Sequence, residues 1–340
     1  MKSSQKLKLK PLHEQTIVIT GASSGIGRAT AREAARRGAK LVLASRNRAA
    51  LAQLAEELKA MGAPVITVTA DVGVAEDHDK IVQSAMMAFG GFETWINNAG
   101  VSIFGKLEDV AIEDQRQLFE TNYWGVVYGS LAAMRELGQR GGALINVGSE
   151  VSDRALPLQG AYSASKHAVK GFTDALRMEA EADRLPVSIT LIKPASVDTG
   201  FVQHAKNYLD VEPRLPPPVY SPKAVAEAIL YAAEHPQRDI YVGSAARAVA
   251  AFGQTMPGLA DKVLGPSMLR GQRSNTPATE KDDALWHSGE PVEGGQTPGV
   301  CHSSLYTEFC TRWKAVACTG LAAAAALVVL SHCLPKARGK

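Results

Sequence analysis

The stretch Ile17-Val18-Ile19-Thr20-Gly21-Ala22-Ser23-Ser24-Gly25-Ile26-Gly27-Arg28 decides the fold. An apolar run from Thr16 to Thr20 ends in a glycine-rich turn, and helical composition follows from Arg28 to Arg37 until Gly38. A short uninterrupted apolar run reads as a strand buried on both faces, as in a parallel sheet. Backbone N–H groups and the positive end of a helix then converge where the turn meets that helix, a point suited to a pyrophosphate.

Outward from this point the alternation repeats. Strands are expected at Lys40–Ala44, Val65–Val68, Phe92–Asn97, Ala143–Val147, Val187–Ile192 and Ile240–Val242. Helices are expected at 49–61, 78–89, 113–137, 161–182 and 222–234. Strands alternating with helices of this length imply an α/β fold, a doubly wound parallel sheet covered on both faces. The expected organisation is a flexible N-terminus over 1–14, a catalytic domain over 15–265, a polar flexible linker over 266–311 and an apolar segment with a basic tail over 312–340.

The bulk numbers are those of an ordinary globular protein. Of 340 residues, 46% are hydrophobic and 21% charged, with a formal charge of +3. So small a charge, with no basic stripe interleaved with aromatics, gives no support for nucleic-acid binding. The cysteines are Cys301, Cys310, Cys318 and Cys333. The first three hundred residues therefore hold no disulfide framework and no thiolate metal site, and no metal is expected.

In the glycine loop, Gly21 allows a tight turn, Gly25 a close backbone approach and Gly27 close helix–strand packing. Ser23, Ser24 and Ile26 complete the wall toward the phosphates. The end of the second strand chooses the cofactor. It reads Ala44-Ser45-Arg46-Asn47-Arg48, with no acid to accept from a free ribose 2′-hydroxyl. Arg46 is expected to pair with a 2′-phosphate, with Ser45 and Asn47 adding hydrogen bonds, so the expected cofactor is NADP(H). Asp71 and Val72 follow the third strand, where Asp71 either meets adenine or caps the next helix. Asn98 is expected to bond the sugar or the facing backbone, while Ala99 and Gly100 leave room for the cofactor.

Tyr162 and Lys166 stand at i and i+4 on one helix face. A phenol with a pKa near ~10 is a poor base at neutral pH. A neighbouring ammonium, with the charge of a nicotinamide, is expected to favour the phenolate. Tyr162 then exchanges a proton with a carbonyl or alcohol oxygen, Ser149 holds that oxygen, and Asn122 orders water that relays protons through Lys166.

This set, Thr20 to Gly27, Asn97-Asn98-Ala99-Gly100, Asn122, Ser149, Tyr162 and Lys166, resembles the short-chain dehydrogenase/reductase family over about Gln15 to Gly243. The resemblance implies a Rossmann-like sheet of seven strands in the order 3-2-1-4-5-6-7. It also implies an Asn-Ser-Tyr-Lys tetrad and a reaction between a carbonyl and an alcohol. After the sixth strand the family usually has Pro-Gly, whereas this chain has Lys193-Pro194-Ala195-Ser196-Val197-Asp198-Thr199. Pro194, Val197 and Thr199 are still expected beside the carboxamide or a phosphate oxygen. The segment from Phe201 to Pro218 falls where the family places its substrate lid, and its apolar residues suggest a lipophilic substrate. Self-association through the helices bearing Asn122 and Tyr162 follows by the same analogy. The alternative is an idle NADP(H)-binding sensor, against which the intact tetrad argues.

The tail carries a separate expectation. Ala315 to Leu334 is twenty residues without a formal charge, flanked by Arg312 and Lys314 and by Lys336, Arg338 and Lys340. Its length matches about 30 Å of hydrocarbon, so a C-terminal membrane anchor carrying a cytoplasmic domain is expected. The alternatives are an alanine-rich helix packed on the body and a soluble cytoplasmic protein.

Overall fold

A computed structural model describes residues 7–279, 282–289, 299–302 and 307. Seven strands form one parallel sheet: β1 (Thr16–Thr20), β2 (Lys40–Ser45), β3 (Val65–Thr69), β4 (Thr94–Asn97), β5 (Gly142–Val147), β6 (Val187–Pro194) and β7 (Asp239–Val242). Their spatial order is β3-β2-β1-β4-β5-β6-β7, the order that the sequence resemblance implies. The fold is a Rossmann-like α/β sheet.

Alternation along each strand explains why β1 reads as a continuous apolar run. Ile17 and Ile19 join the cluster under helices α1 (Gly25–Arg36), α2 (Arg48–Ala60) and a later helix. Val18 joins the opposite cluster, under α3 (Ala75–Phe89) and its neighbours. Both faces of the strand are dry because both carry helices.

The long helix expected over 113–137 is continuous in space but not uniform. It comprises α4 (Ile112–Phe119), a π-helical turn at Glu120–Trp124 and α5 (Gly125–Arg140). Asn122 lies inside the wider turn, a local irregularity that often marks a functional position. Helix α6 (Gly160–Ala182) carries Tyr162 and Lys166. Helix α7 (Pro222–Glu234) starts at Ser221, whose side chain accepts from Ala224 N, and it packs in the cluster under α1.

A buried amide network fixes the middle of the sheet. Asn97 Nδ2 donates to Asn146 Oδ1 at 2.9 Å and to Ser130 Oγ at 3.0 Å, and Trp95 Nε1 donates to Asn97 Oδ1 at 2.7 Å. Asn146 Nδ2 donates on to Thr173 Oγ1 at 3.0 Å. Strands β4 and β5 are thereby tied to α5 and α6, and each buried amide finds partners.

Part of the expected linker is built into the body. Helices α8 (Ser244–Thr255) and α9 (Pro257–Gly271) follow β7, and Arg273–Pro277 pairs antiparallel with Val211–Pro213. Further on, Leu285 is fully buried. Polar composition had suggested an unpaired segment, but a two-stranded ribbon satisfies its backbone while its side chains face water. Among the described residues no helix is long and apolar enough to cross a membrane. The anchor expected over 315–334 lies outside the described residues.

Candidate active site

The C-terminal ends of the strands open into a cleft enclosing about 1710 Å³, its mouth included. It lies where the strand order reverses between β1 and β4, the position at which open α/β sheets bind ligands. Gly21, Ser23, Ser24, Gly25 and Ile26 line it after β1, and Ala99 and Gly100 after β4. Gly27 lies behind that wall. A Cβ on Gly27 would stand 2.2 Å from Gly21 O, so only glycine lets α1 approach the strand end. Gly21 has φ +64°, and a Cβ there would meet Ala99 Cα at 2.7 Å.

Asn98 takes the backbone option of the two expected for it. Its Nδ2 donates to Thr20 O at 3.0 Å and Gly21 O at 3.2 Å, so it shapes the glycine loop from the neighbouring strand. Asp71 Oδ1 accepts from Gly73 N at 2.9 Å, a turn that leads into α3, with Val72 beside it in the wall.

At the end of β2, Arg46 Nη2 donates to Ala284 O at 2.6 Å. Its Nη1 is buried and makes no hydrogen bond, and Asp71 Oδ2 stands 3.8 Å away. A buried guanidinium nitrogen that has only a distant carboxylate and no hydrogen bond keeps a donor for an anion's oxygen. Asn47 caps α2 by accepting from Ala50 N at 2.9 Å, and its Nδ2 donates to Gly289 O at 3.0 Å. Ser45 Oγ accepts from Asn47 N at 3.2 Å. The glycine cradle and the unsatisfied Arg46 nitrogen together fit a dinucleotide.

The second half of the cleft is built on β5, β6 and α6. Tyr162 and Ser149 both line this half of the cleft, with Lys166 beside them. Ser149 also starts a short helical turn, its Oγ accepting from Val151 N at 3.3 Å while Ser152 Oγ accepts from Ser149 N at 3.1 Å. Lys166 Nζ donates to Val147 O at 2.9 Å and lies 5.8 Å from the centre of the Tyr162 ring. Asn122 is fully buried behind the wall. Its Oδ1 accepts from Val101 N at 2.8 Å, and its Nδ2 donates to Val101 O at 2.9 Å and Ser165 Oγ at 3.1 Å.

Burial governs the electrostatics. It pushes the Tyr162 phenol up to about 12; the nearby Ser149 hydroxyl works against this, and the Glu150 charge adds to it. Burial also pushes the Lys166 ammonium down to about 8 and the Glu150 carboxyl up to about 7. The protein groups by themselves favour the neutral phenol; the expected favouring of the phenolate also draws on the nicotinamide charge. Lys166 turns toward a backbone carbonyl, and the low-polarity wall holds the phenol neutral.

Pro194, Val197 and Thr199 line the cleft at the end of β6. The Ala195 that replaces the usual glycine keeps negative φ and continues the sheet, its N donating to Val242 O at 2.9 Å. Thr199 faces the glycine loop, where a Cβ on Gly25 would meet Thr199 Cβ at 3.2 Å.

The sequence from 15 to 209 matches the model of the short chain dehydrogenase family. The chain belongs to that family. It is 45% identical over 333 residues to the uncharacterized oxidoreductase YxnA of Bacillus subtilis, covering 96% of this chain and 94% of that one. It is 39% identical over 191 residues to an 11-beta-hydroxysteroid dehydrogenase A of Sesamum indicum, covering 56% of this chain and 54% of that one. Among solved structures, a short chain dehydrogenase/reductase from Burkholderia phymatum in complex with NAD superposes with a TM-score of 0.67. That pair is 28% identical and covers 80% of this chain and 100% of the other. An alcohol dehydrogenase from Thermococcus sibiricus, complexed with 5-hydroxy-NADP, gives a TM-score of 0.59 at 28% identity, covering 67% of this chain and 95% of the other. This family member is thus an oxidoreductase of the carbonyl/alcohol class, on a fold whose neighbours bind nicotinamide dinucleotides.

Several lining residues escaped the sequence reading. Phe104, Leu156, Gln159, His204, Leu215 and Ser288 all face the cleft. Gln159 Nε2 donates to Ser102 Oγ at 3.1 Å, and Phe201 packs edge-on against Tyr162 with ring centres 5.6 Å apart. Most have no local signature. The pair Leu285-Trp286 inside a polar stretch was the one available signal of an anchoring point.

Proposed function

We propose that this family member is an NADP(H)-dependent oxidoreductase that interconverts a lipophilic carbonyl compound and its alcohol. The observation that carries the reading is the convergence of Tyr162, Ser149 and Lys166 on the same cleft as the glycine loop. When bound, the nicotinamide supplies or accepts the hydride. Gly21, Ser23, Ser24, Gly25, Ile26 and Thr199 would hold the pyrophosphate side. Arg46, with Ser45 and Asn47, would hold the adenosine ribose and its 2′-phosphate.

In this reading Tyr162 and Ser149 both address the substrate oxygen. A phenol that keeps its proton is a donor, so Tyr162 protonates the oxygen as a carbonyl is reduced. Ser149 holds the same oxygen, and Lys166 supplies a positive charge behind the phenol. Asn122 acts one step removed, since both polar atoms of its amide hold Val101 and Ser165. Phe104, Leu156, Phe201 and Leu215 support the lipophilic substrate class, because they put apolar side chains in the lining of the cleft.

The test follows NADPH oxidation across carbonyls graded from small and polar to steroid-sized, with Tyr162→Phe alongside. Turnover that rises with substrate size and disappears in the variant is expected. Tight NADPH binding without turnover on any carbonyl would return the chain to the sensor reading.

A further inference from the structure

Residues 282–289 run along the cleft, whose lining includes Ala284, Ser288 and Gly289, and they bond to neighbouring parts of the chain on several sides. Ala284 bridges two of them: its O accepts from Arg46 Nη2 at 2.6 Å, and its N donates to His204 O at 2.8 Å. Gly289 O accepts from Asn47 Nδ2 at 3.0 Å. Outside the lining, Trp286 Nε1 donates to Asp114 Oδ1 of α4 at 2.7 Å. Asp283 pairs with Lys206 at 3.1 Å, beside the expected substrate lid.

The segment is anchored as well as bonded. Leu285 is fully buried in the apolar cluster that contains Tyr162, Val151 and Leu156. A surface loop usually runs over the protein with its carbonyls in water. Here one leucine is inserted beside the proposed proton donor, and two carbonyls are given to the two side chains that read the adenosine ribose.

We propose that residues 282–289 form a strap that completes the dinucleotide site and has to lift for the cofactor to enter or leave. This rests on the NADP(H) reading above. The strap divides the Arg46 fork. Nη2 is fixed by Ala284 O, and Nη1 makes no hydrogen bond, with Asp71 Oδ2 3.8 Å away. A guanidinium held in this way loses less freedom when it meets a phosphate. Asn47 is held in the same manner by Gly289 O. Because the strap also grips His204 and Lys206, closure over the nucleotide and closure over the substrate are mechanically joined.

Stopped-flow fluorescence of NADPH release from the full chain and from its Leu285→Asp variant tests the strap. Release is expected to be about tenfold faster in the variant, since interface changes act mostly through dissociation. In the wild-type chain, hydrogen exchange at 282–289 is expected to slow when NADPH saturates the site, a measurement that needs no variant and decides the matter should Leu285→Asp unfold. Unchanged release, tighter NADPH binding by the variant, or exchange at 282–289 that ignores NADPH would each overturn the strap while leaving the cofactor reading intact. A wild-type chain that binds neither NADPH nor NADH would overturn the cofactor reading, and the strap with it.

Discussion

Lys166 stands one helical turn beyond Tyr162 and gives its ammonium to the carbonyl of Val147 at 2.9 Å rather than to the phenol. The two side chains share a face of α6, yet the influence of the lysine on the tyrosine passes through space. Replacing Tyr162 with Phe removes the proton and leaves the packing against Phe201. The rate of carbonyl reduction is expected to fall about 10²- to 10⁴-fold with NADPH affinity nearly unchanged. Steady-state kinetics beside a fluorescence titration separates the two effects, and retention of wild-type turnover would remove Tyr162 from the chemistry.

The pH dependence follows from Lys166. Burial lowers its pKa to about 8, so the lysine is charged below that value and loses its proton as pH rises through it. The Tyr162 phenol, pushed up to about 12, does not titrate in this window. Reduction is therefore expected to decline from about pH 8 upward. A Lys166→Arg variant, slower throughout, should lack this limb because arginine keeps its charge. The same limb in both proteins would assign it to another group.

Arg46 supplies the discrimination between the two dinucleotides in the proposed reading. A hydrogen bond to a charged group contributes ~1.5–3 kcal/mol. Arg46→Ala should thus weaken NADPH by ~10- to 100-fold and leave NADH within a few fold. Equal losses for both cofactors would mean that Arg46 supports the loop rather than reading the phosphate.

Gly27→Ala tests the glycine cradle. The new Cβ would stand 2.2 Å from Gly21 O, a backbone atom that cannot rotate away. Overpacking of this kind destabilises by ~1–3 kcal/mol. Urea unfolding should show that loss together with weakened dinucleotide binding, and an unperturbed midpoint would show that the loop yields more readily than its geometry suggests.

A fifth expectation concerns a buried ion pair away from the cofactor. Lys193 Nζ and Asp153 Oδ2 lie 3.0 Å apart, with each side chain 2% exposed. Asp153 also accepts from Tyr241 OH at 2.7 Å. Burial opposes the Lys193 charge, but the hydrogen bond with Asp153 and the charge of Asp239 outweigh it and raise its pKa. Asp153→Ala leaves that cation with Asp239 Oδ2 at 3.3 Å and without its closer partner, and should destabilise the fold by ~1–3 kcal/mol. Asp153 ends the turn that begins at Ser149, so turnover should fall with stability, and a variant equally stable in urea would contradict this account.

What was legible in the sequence was local. The uninterrupted apolar run of β1 and the glycine spacing place the first strand–helix junction, and four residues of helix put Tyr162 and Lys166 on one face. The strand order itself came from the family resemblance. The strap was illegible because its meaning lies in partners such as Arg46 and Ala284, which are 238 residues apart. Composition showed only a polar stretch, and a carbonyl can bind an arginine from any residue type. The direction of the Tyr162 pKa was hidden for a related reason. The motif names the neighbouring charge, but the burial that outweighs it belongs to walls contributed by Val101, Val151 and Leu285.

The distance along the chain between the glycine loop and Leu285 has a consequence during synthesis. A ribosome delivers Gly21 to Gly27 early and Leu285 only after every strand of the sheet has been made. The nascent domain can assemble its parallel sheet and present the glycine loop while residues 282–289 are still inside the exit tunnel. Such a chain would meet its first dinucleotide as an open cup, and acquire slow release only when that segment emerges and settles across it.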